Sequence, residues 1–156
     1  MSRMIRDSLK VGLLLCVPGA IAWVTGLPFI FPSLGPSAFS LVTERKSGDM
    51  LRTVIGGHLI GVVGGLLAYH VIAEGLSLGQ LPPSLSLAML RLAGSGVVSV
   101  ILTTVGMLAA DARHPPACAT TLIVSLGIMA TLRDALFIML AVILMCAVHR
   151  LMAREA

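Results

Sequence analysis

Long apolar runs alternate with short polar stretches from one end of the chain to the other. A membrane-crossing helix needs about 20 apolar residues. On that measure the first segment is Leu9–Gly26, with Pro18 allowing a kink. The second, Leu27–Val42, holds Pro28, Pro32, Gly35 and Pro36. Proline lacks an N–H and clashes with the preceding turn. Regular helix is therefore expected only over Pro36–Val42, ahead of a polar loop, Thr43–Asp49. The third segment, Met50–Ala73, carries Gly57, Gly61 and Gly65 at GxxxG spacing, which lets helix backbones approach closely. Glu74–Leu85 reads as a turn-rich linker, Ser86–Ala110 as the fourth segment. Paired prolines, Pro115-Pro116, break the chain and start a fifth that runs to Thr131. A turn at Leu132–Asp134 leads to the sixth, Ala135–Met152.

Composition agrees with this pattern. The chain is 57% hydrophobic and only 12% charged over 156 residues. A soluble domain carries about 25% charged residues, so this chain lacks the charge to coat a water-facing surface. The reading is a single all-α domain, residues 1–156, folded as a polytopic membrane helix bundle of six apolar segments. The basic N-terminus followed by an apolar run mimics a signal peptide, but the first segment is expected to stay as an uncleaved helix.

Net charge of +4 does not point to nucleic acid, because the basic residues flank apolar segments and no aromatic platform accompanies them. With the N-terminus in the cytoplasm and six crossings, Arg3, Arg6, Lys10, Arg45, Lys46, Arg52, Arg113, Arg150 and Arg154 fall inside, and Arg91 and Arg133 outside. That follows the positive-inside rule of a cytoplasmic (inner) membrane protein. A four-span reading with hairpins remains open, because Leu27–Gly35 also suits a re-entrant dip. Cys16, Cys118 and Cys146 lie far apart in apolar segments, so they read as small hydrophobes, with no metal site.

Two stretches resemble each other at an offset of 80 residues: Gly35-Pro36-Ser37-Ala38-Phe39-Ser40 and Pro115-Pro116-Ala117-Cys118-Ala119-Thr120. If residues 9–73 and 86–152 are repeats, three crossings in each force the second to be inverted. Inverted repeats with discontinuous helices are a transporter signature. Proline suits the first helical position, and the N–H groups that follow lack intrahelical acceptors. Helix starts at Pro36 and Pro116 would offer donors at Ser37, Ala38, Phe39, Ala117, Cys118 and Ala119, with the helix dipole favouring an anion there.

Ser37, Ser40, Thr120 and Thr121 add hydroxyls, either as ligand donors or bonded to carbonyls of their own helices. His114 reads either as an anion-attracting group, able to titrate near neutral pH, or with Arg113 and Asp111 as an interfacial cluster. His58, in the glycine-rich helix, needs a polar partner, structural or functional. The candidate substrate-binding set is Pro36, Ser37, Ala38, Ser40, His58, His114, Pro115, Pro116, Ala117, Thr120 and Thr121. No nucleophile elbow, P-loop, HExxH or paired intramembrane carboxylate occurs, so no catalytic residue or cofactor is expected and the chain does not read as an enzyme.

His114-Pro115-Pro116-Ala117 with Ala119-Thr120-Thr121-Leu122-Ile123, Gly35-Pro36-Ser37-Ala38, and Ile55-Gly56-Gly57-His58-Leu59 together resemble three ordered blocks of the HPP family of membrane proteins. The resemblance covers about Phe31 to Ala147. It implies a membrane domain of about four spanning helices and, from plastid and cyanobacterial members associated with nitrite, an anion-transport function. The chain departs from the pattern at Met50-Leu51-Arg52-Thr53, where members have a Pro-Arg-Asn-like run, and at Cys118, often glycine. No regulatory CBS domain accompanies the membrane region within these residues. The expectation is a permease for a small inorganic anion. The second reading is a non-transporting membrane scaffold that packs a partner through its glycine-rich helix. Membrane lipid, a small anion and a second copy of the chain are the expected partners; nucleic acid is not.

Overall fold

A computed structural model describes residues 2–44 and 50–154. The polar-loop residues Arg45 and Lys46, counted above among the inner charges, lie outside these. The described chain forms six α-helices: α1 (Arg3–Thr25), α2 (Ile30–Thr43), α3 (Met50–Ala68), α4 (Leu87–Ala109), α5 (Ala117–Ser125) and α6 (Leu132–Arg154). A π-helical turn, Tyr69–Ala73, extends α3.

The bundle is sorted in the sense expected in lipid. Large apolar side chains such as Leu13, Trp23, Leu90, Ile101, Val105 and Leu136 are exposed, while Ser33, Ser37, His58, Ser95, Ser99, Thr120 and Ser125 are fully buried. A soluble domain would put these classes the other way round. Four stretches are long and apolar enough to cross a membrane: Arg3–Thr25, Met50–Ala73, Leu87–Ala109 and Leu132–Arg154. The other two helices fall short. At 1.5 Å per residue, α2 reaches about 21 Å and α5 about 14 Å, against a hydrocarbon core of about 30 Å. The six apolar segments are all present, with four of them long enough to span as helices, as in the four-span reading left open above, and the fifth is helical over Ala117–Ser125 alone.

The segments nonetheless alternate in direction. Val11 and Phe39 line one groove and Gly19 meets Phe31, so α1 and α2 are antiparallel. Gly64 faces Thr103 and Gly106 faces Ile60, so α3 and α4 are antiparallel. Gly61 faces Ala117 and Gly65 faces Val124, so α3 and α5 run the same way. Helix α1 packs on α2 much as α4 packs on α5, but α3 packs far more extensively on α4 and α5 than α6 does on α1 and α2.

Several boundaries differ from expectation for identifiable reasons. Helix α1 starts at Arg3, with the Ser2 hydroxyl accepting from the Ile5 N–H and Arg3 paired with Asp7, and it ends on Gly26 in the left-handed conformation (φ 72°). Helix α6 starts at Leu132, inside the expected turn. Thr131 and Asp134 exchange hydrogen bonds, the Asp134 N–H to Thr131 Oγ1 and the Thr131 N–H to Asp134 Oδ2, which is a capping box.

The larger difference is in α2, which runs through Pro36 instead of starting there. The cost is one backbone bond, from residue 36 to the Pro32 carbonyl. The gain is a buried face, Ile30, Leu34, Ala38 and Leu41, flanked by Ser33, Ser37 and Ser40. The Pro36 ring itself points outward and is exposed.

The glycines of α3 hold the centre together. A Cβ on Gly57 would lie 2.7 Å from His114 Cβ, on Gly61 2.8 Å from the Ala117 carbonyl oxygen, and on Gly65 2.9 Å from that of Thr121. Gly64 meets Thr103 Oγ1 at 2.8 Å. The chain's own α4 and α5 thus cover this face, which removes the surface that the scaffold reading assigned to a partner. Gly127 (φ 73°) has no room for a side chain against the Leu76 carbonyl and the Tyr69 ring. There the linker folds back, with the Leu78 N–H bonded to the Leu126 carbonyl and Ser77 Oγ to that of Gly127.

Gly61→Ala is expected to lower stability by about 1–3 kcal/mol, the cost of overpacking a tight seam. Gly94→Ala, where no atom lies within 4 Å of the added methyl, is expected to leave stability unchanged or raise it by up to about 1 kcal/mol. Thermal unfolding in detergent separates the two, and equal effects would contradict the seam.

A buried histidine and hydroxyl cluster

Four helices and one turn bring five polar side chains into a single hydrogen-bonded chain. Ser33 and Ser37, one turn apart, face inward from α2. His58 comes from α3, beside Gly57, whose missing side chain lets the His114 turn come close. Thr120 comes from α5, and α4 delivers the turn that carries His114. Ser33 Oγ lies 2.6 Å from Thr120 Oγ1. Thr120 Oγ1 lies 2.7 Å from His58 Nδ1. His58 Nε2 lies 2.8 Å from Ser37 Oγ, and Ser37 Oγ lies 2.9 Å from His114 Nε2. The two rings meet edge to face, with centroids 5.1 Å apart. Ser33, Ser37, His58 and Thr120 are fully buried, and His114 is 2% exposed.

Each member is where local sequence puts it. Ser33 and Ser37 are i and i+4, neighbours on a helix surface. Thr120 lies one turn into α5, on the side facing α2. Its neighbour Thr121 faces α4 instead, where its hydroxyl lies 3.5 Å from the Ser99 carbonyl. A second polar seam lies on that side: Ser95 Oγ donates to the Ser125 carbonyl and Ser99 Oγ lies 2.9 Å from Ser125 Oγ. Thr103 Oγ1, buried next to Gly64, has no hydrogen-bond partner among the described residues.

The candidate set therefore divides. Ser37, His58, His114 and Thr120 come together. Ser40 turns to Glu44, with its hydroxyl 2.6 Å from the carboxylate. Ala38 and Ala117 are buried packing residues, the second under Gly61. Thr121 belongs to the other seam. Pro36 and Pro115 are exposed, and Pro116 is the N-cap of α5. Ser33 is a member that the sequence reading missed. Treating Leu27–Gly35 as non-helical hid its i, i+4 relation to Ser37.

The proposed helix-end donors are also corrected. The Ala117, Cys118 and Ala119 N–H groups donate to the carbonyls of His114, Pro115 and Pro116 at 2.9, 3.0 and 3.0 Å. The first turn of α5 tightens into i to i+3 bonds and uses its own orphan donors. Ser37, Ala38 and Phe39 lie inside α2, which starts at Ile30, ahead of Pro36. What can donate at this site is side-chain O–H and imidazole N–H. The interfacial reading of Arg113 keeps its support, since it pairs with Asp111 at 3.6 Å. A crevice of about 280 Å³ opens next to His114 between α4 and the turn, lined by Thr104, Met107, Arg113, Pro115 and Cys118. Among the described residues no group of three metal-binding side chains occurs.

The family model for the HPP transmembrane region matches residues 1–154. The chain belongs to the HPP family. The family's name tripeptide is His114-Pro115-Pro116, so in this HPP protein the histidine enters the buried chain while the prolines form its supporting turn. No curated protein and no solved structure matches the sequence.

Thr120→Val is expected to destabilise the protein by about 1–3 kcal/mol, because Ser33 and His58 each lose a buried partner. Thr103→Val removes a hydroxyl with nothing to bond and is expected to be neutral or stabilising by about 1 kcal/mol. Denaturation midpoints of the two variants in one detergent test this pair, and the reverse order would refute the assignment.

Proposed function

We propose that this HPP protein is a permease for a small inorganic anion of the nitrite class, working by alternating access in the cytoplasmic membrane with its N-terminus inside. The observation that carries the reading is the sealed chain of two histidines and three hydroxyls where the short helices α2 and α5 cross. Buried ionisable groups in membrane segments are costly and mark substrate or ion pathways. The cluster holds no carboxylate and each of its groups carries a hydrogen it can give, which suits an acceptor-rich anion. Donors come from Ser37, Thr120 and the imidazoles, in place of the helix ends first considered.

The architecture supports alternating access in a second way. Exchanging α1, α2 and α3 for α4, α5 and α6 keeps the same pairs of helices in contact, though α3 packs more extensively than α6; two inverted repeats would share those neighbours. Each half then has one short central helix, and the two short helices meet through Ser33 and Thr120. Rocking of one half against the other would open the cluster to either side in turn. No chemical step, and so no enzymatic role, is assigned to the chain.

Proteoliposomes containing only this protein are expected to take up nitrite faster than protein-free vesicles. His114→Ala and Ser37→Ala are expected to lower that flux at least about tenfold, the loss of one or two charge-assisted bonds, while Gly94→Ala retains it. No uptake across nitrite, nitrate and chloride with correctly folded protein would sink the permease reading.

A further inference from the structure

We infer that the Ser33, Thr120, His58, Ser37, His114 chain binds one proton, and that proton uptake and anion occupancy at the cluster favour each other. The inference deepens the permease reading and rests on it for the identity of the anion. It starts from hydrogen counting. A serine hydroxyl has one hydrogen. Ser37 Oγ sits 2.8 Å from one imidazole Nε2 and 2.9 Å from the other, so it can donate to only one of them. The other imidazole must donate to it. The neutral pair is therefore opposed, with one Nε2 protonated and one bare.

Thr120 imposes the same rule on the other side of His58. A neutral imidazole carries one N–H. If His58 donates to Ser37, its Nδ1 accepts from Thr120, and Thr120 accepts from Ser33. If Ser37 donates to His58, the order reverses along the whole chain. All four bonds thus share one direction, and two arrangements satisfy them.

A proton added to His58 breaks none of these bonds. Starting from the first arrangement, the Thr120 hydrogen turns from Nδ1 towards Ser33, the Ser33 hydrogen turns off Thr120 so that Ser33 becomes the acceptor, and the incoming proton takes the vacated Nδ1. His58 then donates from both nitrogens, and Ser37 continues to donate to His114. The balance is one proton gained and two hydroxyls rotated.

The charge so created is fully buried, and it needs a counter-charge. The elements packed round His58 offer little. On α4 the one charged side chain is Arg91, bonded to the Ile72 carbonyl far along the bundle. On α5 there is Cys118. On α6, Arg133 and Asp134 lie at its start and His149, Arg150 and Arg154 near its end. Glu44 follows α2 and is held by Ser40. Arg52 precedes His58 on its own helix, and Asp111 and Arg113 flank the turn. The ionisable group in ring contact with His58 is His114, its centroid 5.1 Å away. A buried ion without a partner is strongly unfavourable. An anion arriving at the cluster would supply that partner, so proton and anion each raise the affinity for the other, by the reciprocity of linkage.

The test is histidine nitrogen NMR on the isotope-labelled full chain in lipid nanodiscs, with His58→Gln and His114→Gln used only to assign signals. At alkaline pH one of the two histidines is expected to carry hydrogen on Nε2 and the other not. On acidification, sodium nitrite, nitrate or chloride is expected to raise the midpoint of His58 protonation by about one pH unit, an about tenfold coupling. Matching Nε2 states, or a midpoint indifferent to all three anions, overturns the inference. Ser37→Ala should abolish the opposed pattern and Ser37→Thr restore it. If neither variant folds, the wild-type spectra decide alone. Proteoliposomes with an internal pH dye separate the two readings. Anion flux with no proton movement leaves the permease and removes the coupling. Anion-shifted protonation with no flux leaves the coupled site and removes the permease.

Discussion

The close approach of α5 to α3 is the constraint on which the rest depends. Gly57, Gly61 and Gly65 lie on one face of α3, and in place of their side chains stand His114, the Ala117 carbonyl and the Thr121 carbonyl. Between lipid-exposed helices there is no hydrophobic drive to associate, so packing and buried polar bonds must do it. The glycine face supplies the packing. It also sets the spacing at which His58 can reach Thr120 and Ser37 at the same time. A methyl group at Gly61 or Gly65 would push α5 outward and lengthen the His58–Thr120 bond, and one at Gly57 would displace His114.

The proline pair works within that constraint. Helix α4 ends at Ala109, and Asp111 takes a positive φ of 49° where the chain turns. Pro115 and Pro116 then give carbonyls but no N–H groups. Their carbonyls and that of His114 accept the first three N–H groups of α5. The turn thus takes up the orphan donors at the start of α5. That leaves the His114 side chain to bond across the bundle, to Ser37. The prolines serve the histidine by closing the backbone around it.

Much of this was legible in the sequence. Apolar length and scarce charge identified a membrane bundle, and Met50–Ala73 came out with the bounds of the observed span. His58 was marked because a ring in a glycine-rich helix must find a partner, and its three-block company pointed to the family. What was hidden depended on tertiary packing. Pro36 breaks a helix in isolation, but in α2 the burial of Leu34, Ala38 and Leu41 outweighs one lost backbone bond. That single misjudgement removed Ser33 from view and created a helix end that does not exist. The split between Thr120 and Thr121 was equally invisible, since both lie in the same helical turn and only the placement of α2 and α4 tells them apart.

The chemistry of the cluster limits what it can hold. Its hydroxyls and imidazoles are each able to donate and accept, so in the closed state they satisfy one another. A guest that enters must break some of those bonds and replace them. A cation can take lone pairs from Ser37 and Thr120, but it brings like charge to two histidines with no carboxylate in the chain to offset it. A neutral donor gains nothing over the bonds already present. An acceptor-only anion is different, because every group in the chain can turn a hydrogen towards it. Ser33 closes one end of the chain, and the other end lies against the His114 crevice. On the proposed permease reading, the bonds among Ser33, Thr120, His58, Ser37 and His114 are those that an entering anion would replace, taking the hydrogens that now hold the chain together.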